Sequence, residues 1–81
     1  MKGLPALLAD LAEGFERKDL QSIGKQAHKL KGSAANVGGD ALRDVALRVE
    51  TAGKAGDLEG AIRCIPELES NAAQLQEALR Q

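Results

Sequence analysis

Apolar residues recur three and four positions apart along almost the whole chain, and that spacing admits little besides amphipathic helices packed on one another. Leu4, Leu7, Leu8, Leu11 and Phe15 fall at i, i+3, i+4, i+7 and i+11, the face of one helix. Leu20, Ile23, Ala27, Leu30, Ala34 and Val37 form a second seam. Leu42, Val45, Ala46, Val49 and Ala52 make a third inner face. Leu58, Ala61, Ile65, Leu68, Ala72, Leu75 and Leu79 make a fourth, with Ile62 beside them. The apolar stock is mostly Ala and Leu, with one Phe and no Trp or Tyr, so strand-forming residues are scarce.

Turn and cap residues divide this pattern. Pro5 suits a first helical turn, where its missing N–H costs nothing. Asp19 and Asp57 are good N-caps, and Asp40 is a candidate for a third. Gly38-Gly39 supplies the left-handed backbone that ends a helix and turns the chain. Gly53 and Gly56 weaken the end of the third helix. The spacing therefore predicts helices over about 4–17, 19–37, 40–55 and 57–80. Pro66 lies inside the last run, where a proline removes one backbone bond. Because the apolar pattern continues in phase across it, a kink near 62–66 is expected and not a break. Short connections make neighbouring helices antiparallel, so the expected fold is all-α: one domain over residues 1–81, an up-down four-helix bundle.

Composition narrows the function. Eleven Lys and Arg against 12 Asp and Glu leave a net charge of −1, without the basic excess of a nucleic-acid binder. No Trp or Tyr is available to stack on bases. No apolar run approaches the ~18 residues of a membrane span, and no signal-peptide pattern opens the chain. One cysteine, Cys64, cannot form an internal disulfide and fits a reducing, cytoplasmic setting as a small buried hydrophobe. Leu47 falls on the side of its helix opposite the core.

The chain has one histidine, His28, in the middle of the second helix. At about 100° per residue it points roughly 120° away from the seam, onto an exposed flank. Its helical neighbours are Gly24, Lys31, Gly32 and Ala35, so the imidazole is ringed by residues with almost no side chain and one lysine. A glycine inside a helix costs about 1 kcal/mol relative to Ala, so something besides helix stability favours these. Access explains them: a large partner can bring a reacting group flush against the ring. A neutral imidazole nitrogen is a nucleophile near pH 7. A phosphoryl group arriving there brings about two negative charges, which Lys31 can hydrogen-bond, while Lys25 and Lys29 raise the local positive potential. A single His with no nearby Cys, Asp or Glu partner is not a metal site, and there is no P-loop, nucleotide fingerprint or Ser-His-Asp set. The chain reads as a surface that accepts a group and hands it on, without its own ATP site or enzymatic turnover.

The stretch Ala27-His28-Lys29-Leu30-Lys31-Gly32-Ser33-Ala34-Ala35-Asn36-Val37-Gly38 resembles the A-H-x-L-K-G-S-x-x-x-x-G signature of histidine-containing phosphotransfer (HPt) domains. Leu42, Ala46, Val49 and Glu50 fall where that family has its L-x-x-x-C-x-x-L-E stretch, and Gly56-Asp57-Leu58 is similar to its G-D turn before the last helix. The resemblance covers roughly residues 19–79.

The resemblance implies a phosphorelay intermediate. His28 is then the phosphorylated residue, taking its group from a receiver-domain aspartate or a sensor histidine kinase and passing it to another response-regulator aspartate. Lys31 steadies the phosphoryl group, and Gly32 clears space for the receiver. Ser33 bonds back into its own helix, and Gly24, Lys25, Lys29, Gly32, Ser33 and Ala35 form the docking surface. The domain itself binds no cofactor or metal, and Mg²⁺ is expected on the receiver partner. No nucleic acid or membrane partner is expected, and the oligomeric state is a monomer or weak dimer. The alternative is a non-catalytic helical adaptor that binds or sequesters a receiver. Two departures stand out: the family's third-helix Cys is Ala46, and the first helix matches only the later part of the family's long first helix. The second leaves one end of the bundle uncovered, in a domain of a larger kinase, a stand-alone carrier or half of a dimer.

Overall fold

The computed structural model describes residues 3–80, and these are helical with short turns. The helices are α1 (Leu4–Glu16), α2 (Leu20–Asn36), α3 (Asp40–Ala55), α4 (Leu58–Arg63) and α5 (Ile65–Leu79).

Each boundary has a local cause. Pro5 stands in the first turn of α1. Lys18 takes the left-handed conformation (φ 54°) between α1 and α2, and Asp19 then caps α2 by accepting from the Ser22 N–H at 3.3 Å. At the end of α2, Gly38 is left-handed (φ 75°), and the Gly39 N–H donates to the Ala34 carbonyl at 2.8 Å. The expected cap of α3, Asp40, lies one residue inside the helix. Gly39 occupies the N-cap position without a side-chain bond, and Asp40 instead places its charge in the first turn, where the helix dipole favours it. Gly56 (φ 74°) ends α3, and Asp57 caps α4 by accepting from the Gly60 N–H at 2.9 Å.

Where one kinked last helix was expected, there are two. The Cys64 N–H bonds three residues back, to Ala61 at 3.1 Å, and its carbonyl then accepts from Leu68 at 2.8 Å. Pro66 thus falls in the first turn of α5, where an N–H is not needed. The tightened turn at Cys64 removes the clash that Pro66 would cause in a continuous helix.

The core joins Leu4, Leu7 and Leu11 of α1, Ile23, Ala27, Leu30 and Ala34 of α2, and Leu42, Val45, Ala46 and Val49 of α3. Ala61 of α4 and Leu68 and Ala72 of α5 complete it. Half-buried Phe15, Leu58, Cys64 and Leu75 pack on its edge. Val37, Ile62 and Leu79 fall outside it and are exposed, and Leu20 and Ile65 are half-buried beyond its edge. Val37 is the C-cap of α2, where the backbone has left the helix (φ −106°) and the helical period no longer sets its direction. Leu47 is exposed, on the side opposite the core.

The most extensive packing is α2 against α3. Its closest approach is between two glycines. A Cβ added to Gly53 would lie 3.0 Å from Gly24 Cα, 3.1 Å from Gly24 N and 3.3 Å from the Leu20 carbonyl oxygen. Backbone therefore rests on backbone there, and a side chain at position 53 would be crowded.

Candidate functional site

His28 projects from the middle of α2 with its side chain 66% exposed. One helical turn forward from Gly24 and one turn back from Gly53 lead to His28 and Glu50. The close glycine contact thus draws this pair together across the interface. His28 Nδ1 lies 2.7 Å from Glu50 Oε2, and the Glu50 side chain is only 4% exposed.

Glu50 is the centre of a cluster. Lys31 Nζ donates to its Oε1 at 2.7 Å, and Lys54 Nζ stands 3.4 Å from its Oε2. The Lys31 bond holds the Glu50 carboxyl at about 2, well below the usual carboxylate range. Burial works against this, while bonds to His28 and Lys54 reinforce it. Glu50 is therefore ionised throughout the neutral range, and an ionised carboxylate can only accept hydrogen bonds. The 2.7 Å contact then requires the proton on His28 Nδ1. In the neutral ring this leaves Nε2 with its lone pair free, as the nucleophilic nitrogen.

This pairing corrects the expectation that His28 has no nearby acidic partner. The sequence separation of 22 residues hid it. A signal was present: Glu50 follows Ala46 and Val49 on the apolar stripe of α3, where an ionisable residue needs a partner.

The expected site residues separate into groups. Lys31 is beside His28 but is held by Glu50, with 29% of its side chain exposed. Gly24, Lys25, Lys29 and His28 border one groove of about 620 Å³, whose other wall includes Gly53 and Lys54 of α3. At Gly24 an added Cβ would meet only the Gly53 Cα, at 4.0 Å, an ordinary contact, so packing against α3 does not require glycine there. Gly32 differs: a Cβ there would meet nothing within 4 Å, so the surface beside His28 is open on that side. Ala35 is exposed. Ser33 lies away from the groove, lining a separate cavity with Pro5, Asn36 and Val37. Among the described residues it makes no side-chain bond back into α2.

Among the described residues no group of three or more His, Cys, Asp or Glu is placed to hold a metal ion. No described helix is long and apolar enough to cross a membrane.

Comparisons with known proteins bear on this arrangement. The family model described as Hpt domain matches residues 1–78. The phosphorelay intermediate protein rdeA of Dictyostelium discoideum is 38% identical over 61 residues, which cover 75% of this chain. Those residues cover 24% of rdeA, so the match spans about a quarter of that protein's length. No solved structure matches.

Proposed function

The chain belongs to the Hpt domain family, and from that premise we propose that it is a phosphorelay intermediate of two-component signalling in which His28 carries the phosphoryl group. The observation that carries this is the exposed imidazole whose Nδ1 is held by a buried, ionised carboxylate. A ring fixed in this way presents a nucleophile while remaining accessible to a large partner.

The transfer runs as follows. Nε2 attacks the phosphorus of an aspartyl phosphate on a receiver domain. The Nε2–P bond forms as the P–O bond to the aspartate breaks, and the aspartate leaves as a carboxylate. The proton on Nδ1 stays there, and Glu50 offsets the positive charge that develops on the ring, as a carboxylate behind a histidine does in other nucleophilic sites. The reverse sequence delivers the group to a second receiver. Mg²⁺ on the receiver partner would neutralise charge on the phosphoryl oxygens. This chain supplies the nucleophile, its tautomer and nearby cations. Lys31 reaches the phosphoryl oxygens only by leaving Glu50, an exchange favoured by the two added charges.

Several finer statements belong to the same reading. Residues 1–81 act as one domain. Its α4 and α5 together form the fourth leg of an antiparallel up-down bundle, bent at 64–66, which the short turns support. The domain works in the cytoplasm as a monomer or weak dimer. It has no ATP site of its own and takes phosphate from a receiver domain or a sensor histidine kinase.

The test is transfer. Receiver domains from the source genome, charged in the presence of Mg²⁺, are mixed with the protein and with His28→Gln. The expected result is an acid-labile, base-stable mass gain of one phosphoryl group on the wild type alone, with unchanged helical content in the variant. Receivers that bind the protein but never transfer would instead make it an adaptor.

A further inference from the structure

Away from His28 the bundle holds a second, smaller cleft that the transfer step does not use. α1 packs mainly on α2, α2 on α3, and α3 on α4 and α5, which leaves the seam between α1 and α5 open. The cleft in that seam has a volume of about 210 Å³ and shares no lining residue with the groove beside His28. Small-molecule pockets run from about 300 Å³ upward, so this space suits side chains of a docked segment and not a free ligand. Its α1 wall carries Leu8 and Phe15 and its α5 wall carries Ile65, all half-buried, over the core residue Leu68. Phe15 is the chain's one aromatic side chain, and it stands at this cleft, on the edge of the core and not inside it. Each wall also carries an exposed carboxylate, Glu16 on α1 and Glu69 on α5, and neither has an ion-pair partner among the described residues. No Lys or Arg lines the cleft. Arg17, the residue after Glu16, is held by Glu13 at 2.6 Å.

We propose that this cleft is a second docking site, whose occupant is a basic amphipathic helix of a partner protein. A large apolar side chain of that helix fills the space between Phe15 and Ile65, and Lys or Arg on either side of its apolar stripe meets Glu16 and Glu69. A helix laid in a groove is read through anchors three and four residues apart, and an aromatic such as Phe15 supplies a large contact at small entropic cost. Charge complementarity selects this occupant. An acidic helix would face two carboxylates with no cation on either wall to offset them. A second copy of this chain, seated by two-fold symmetry, would set the same carboxylates against one another. Because the cleft and the groove beside His28 have no residue in common, a partner seated here leaves His28 open. Such a partner acts as a tether, raising the local concentration of the domain without covering its histidine.

The experiment titrates the isotope-labelled protein with a synthetic helical peptide and follows backbone amide shifts. The probe carries leucines at i, i+3, i+4 and i+7 with lysines at its other positions, and a control peptide has glutamate in place of every lysine. With the lysine peptide the largest shifts are expected at Leu8, Ala12, Phe15, Ile65 and Glu69, while the His28 amide stays in place. The glutamate peptide should bind about tenfold more weakly. The double variant Glu16→Lys/Glu69→Lys, whose fold is checked by circular dichroism, should reverse that preference. Five results would overturn the proposal: the lysine peptide fails to bind at about 1 mM, its shifts centre on Asp10, Asp19 and Ser22 or on the groove beside His28, the two peptides bind wild type equally, the folded double variant keeps the wild-type preference, or the cleft amides shift with protein concentration alone. The comparison of the two peptides on wild type needs no variant, so it decides the matter even if the double variant fails to fold.

Discussion

Glu50 reaches across from α3 to hold Nδ1 of His28 at 2.7 Å, although 22 residues separate the two in the chain. The relationship is asymmetric, since the carboxylate is buried and the imidazole is two-thirds exposed. The protein thus keeps a charge in its interior in order to orient a ring at its surface. Lys31 is what makes that charge tolerable, through its own 2.7 Å bond to the other carboxylate oxygen.

Glu50 is a positioning residue, and removing it should change the ring before it changes the fold. In Glu50→Ala, His28 Nδ1 loses its acceptor, and the neutral ring should shift toward the tautomer protonated on Nε2, the form common in free imidazole. Nitrogen chemical shifts of His28 report this directly. Phosphotransfer to His28 should slow by about tenfold or more, the range seen when the partner that orients a reactive histidine is lost. Unchanged tautomer populations in Glu50→Ala would dismiss the role.

Acid should unfold the protein through the same residue. The Glu50 carboxyl is lowered from 4.5 to about 2 in the folded state. A lowered carboxylate contributes stability that is fully present above its unfolded value and is lost as pH falls through the folded one. The window is therefore pH 4.5 down to about 2, and the contribution lost is on the order of 3 kcal/mol. Urea midpoints measured from pH 7 to pH 2 should fall across that window. In Glu50→Gln, which cannot ionise, the slope there should be visibly shallower.

Gly32 and Gly53 should answer differently to alanine. Gly32→Ala adds a Cβ that meets nothing, so helix propensity alone acts, and the variant should gain up to about 1 kcal/mol. For a domain this small that is a rise of roughly 4–8 °C in Tm. If Gly32 clears space for the receiver, transfer should slow in the same, more stable protein.

Gly53→Ala should do the reverse. Its Cβ would be 3.0 Å from the Gly24 backbone, which cannot move aside like a flexible side chain. Separating α2 from α3 should cost about 1–3 kcal/mol, outweighing the gain in helix propensity. It should also loosen the His28–Glu50 contact, so thermal melts and His28 nitrogen shifts should change together. A Tm at or above wild type would show that the close contact is not limiting.

Much of this was legible in the chain. The helical period located the four apolar faces, and Asp19 and Asp57 marked helix starts because an aspartate satisfies free N–H groups locally. His28 could be placed on an exposed flank by counting residues, since its direction depends only on the turn per residue. Local spacing was less informative where a neighbour intervened. Gly53 looked like a weak point at the end of its helix, and the structure shows it packed against the Gly24 backbone. Pro66 looked like a kink, yet the turn tightened two residues earlier, at Cys64, and left the proline in a first helical turn. Val37 continued the seam on paper but fell where the helix had already ended.

What the sequence determined by itself was the set of helices, their inner faces and the one nucleophile, because each follows from interactions within a few residues along the chain. What only the tertiary structure decided was the company that nucleophile keeps. The ionised Glu50, the Lys31 and Lys54 bonds to it and the lysine-edged groove all depend on how closely and in what register α2 meets α3. That register is set by the Gly24–Gly53 contact and by the shared core, whose contacts join residues far apart in the chain. Hydrophobic burial is non-directional, so the apolar pattern says which faces meet without saying which residue on one face stands opposite which on the other.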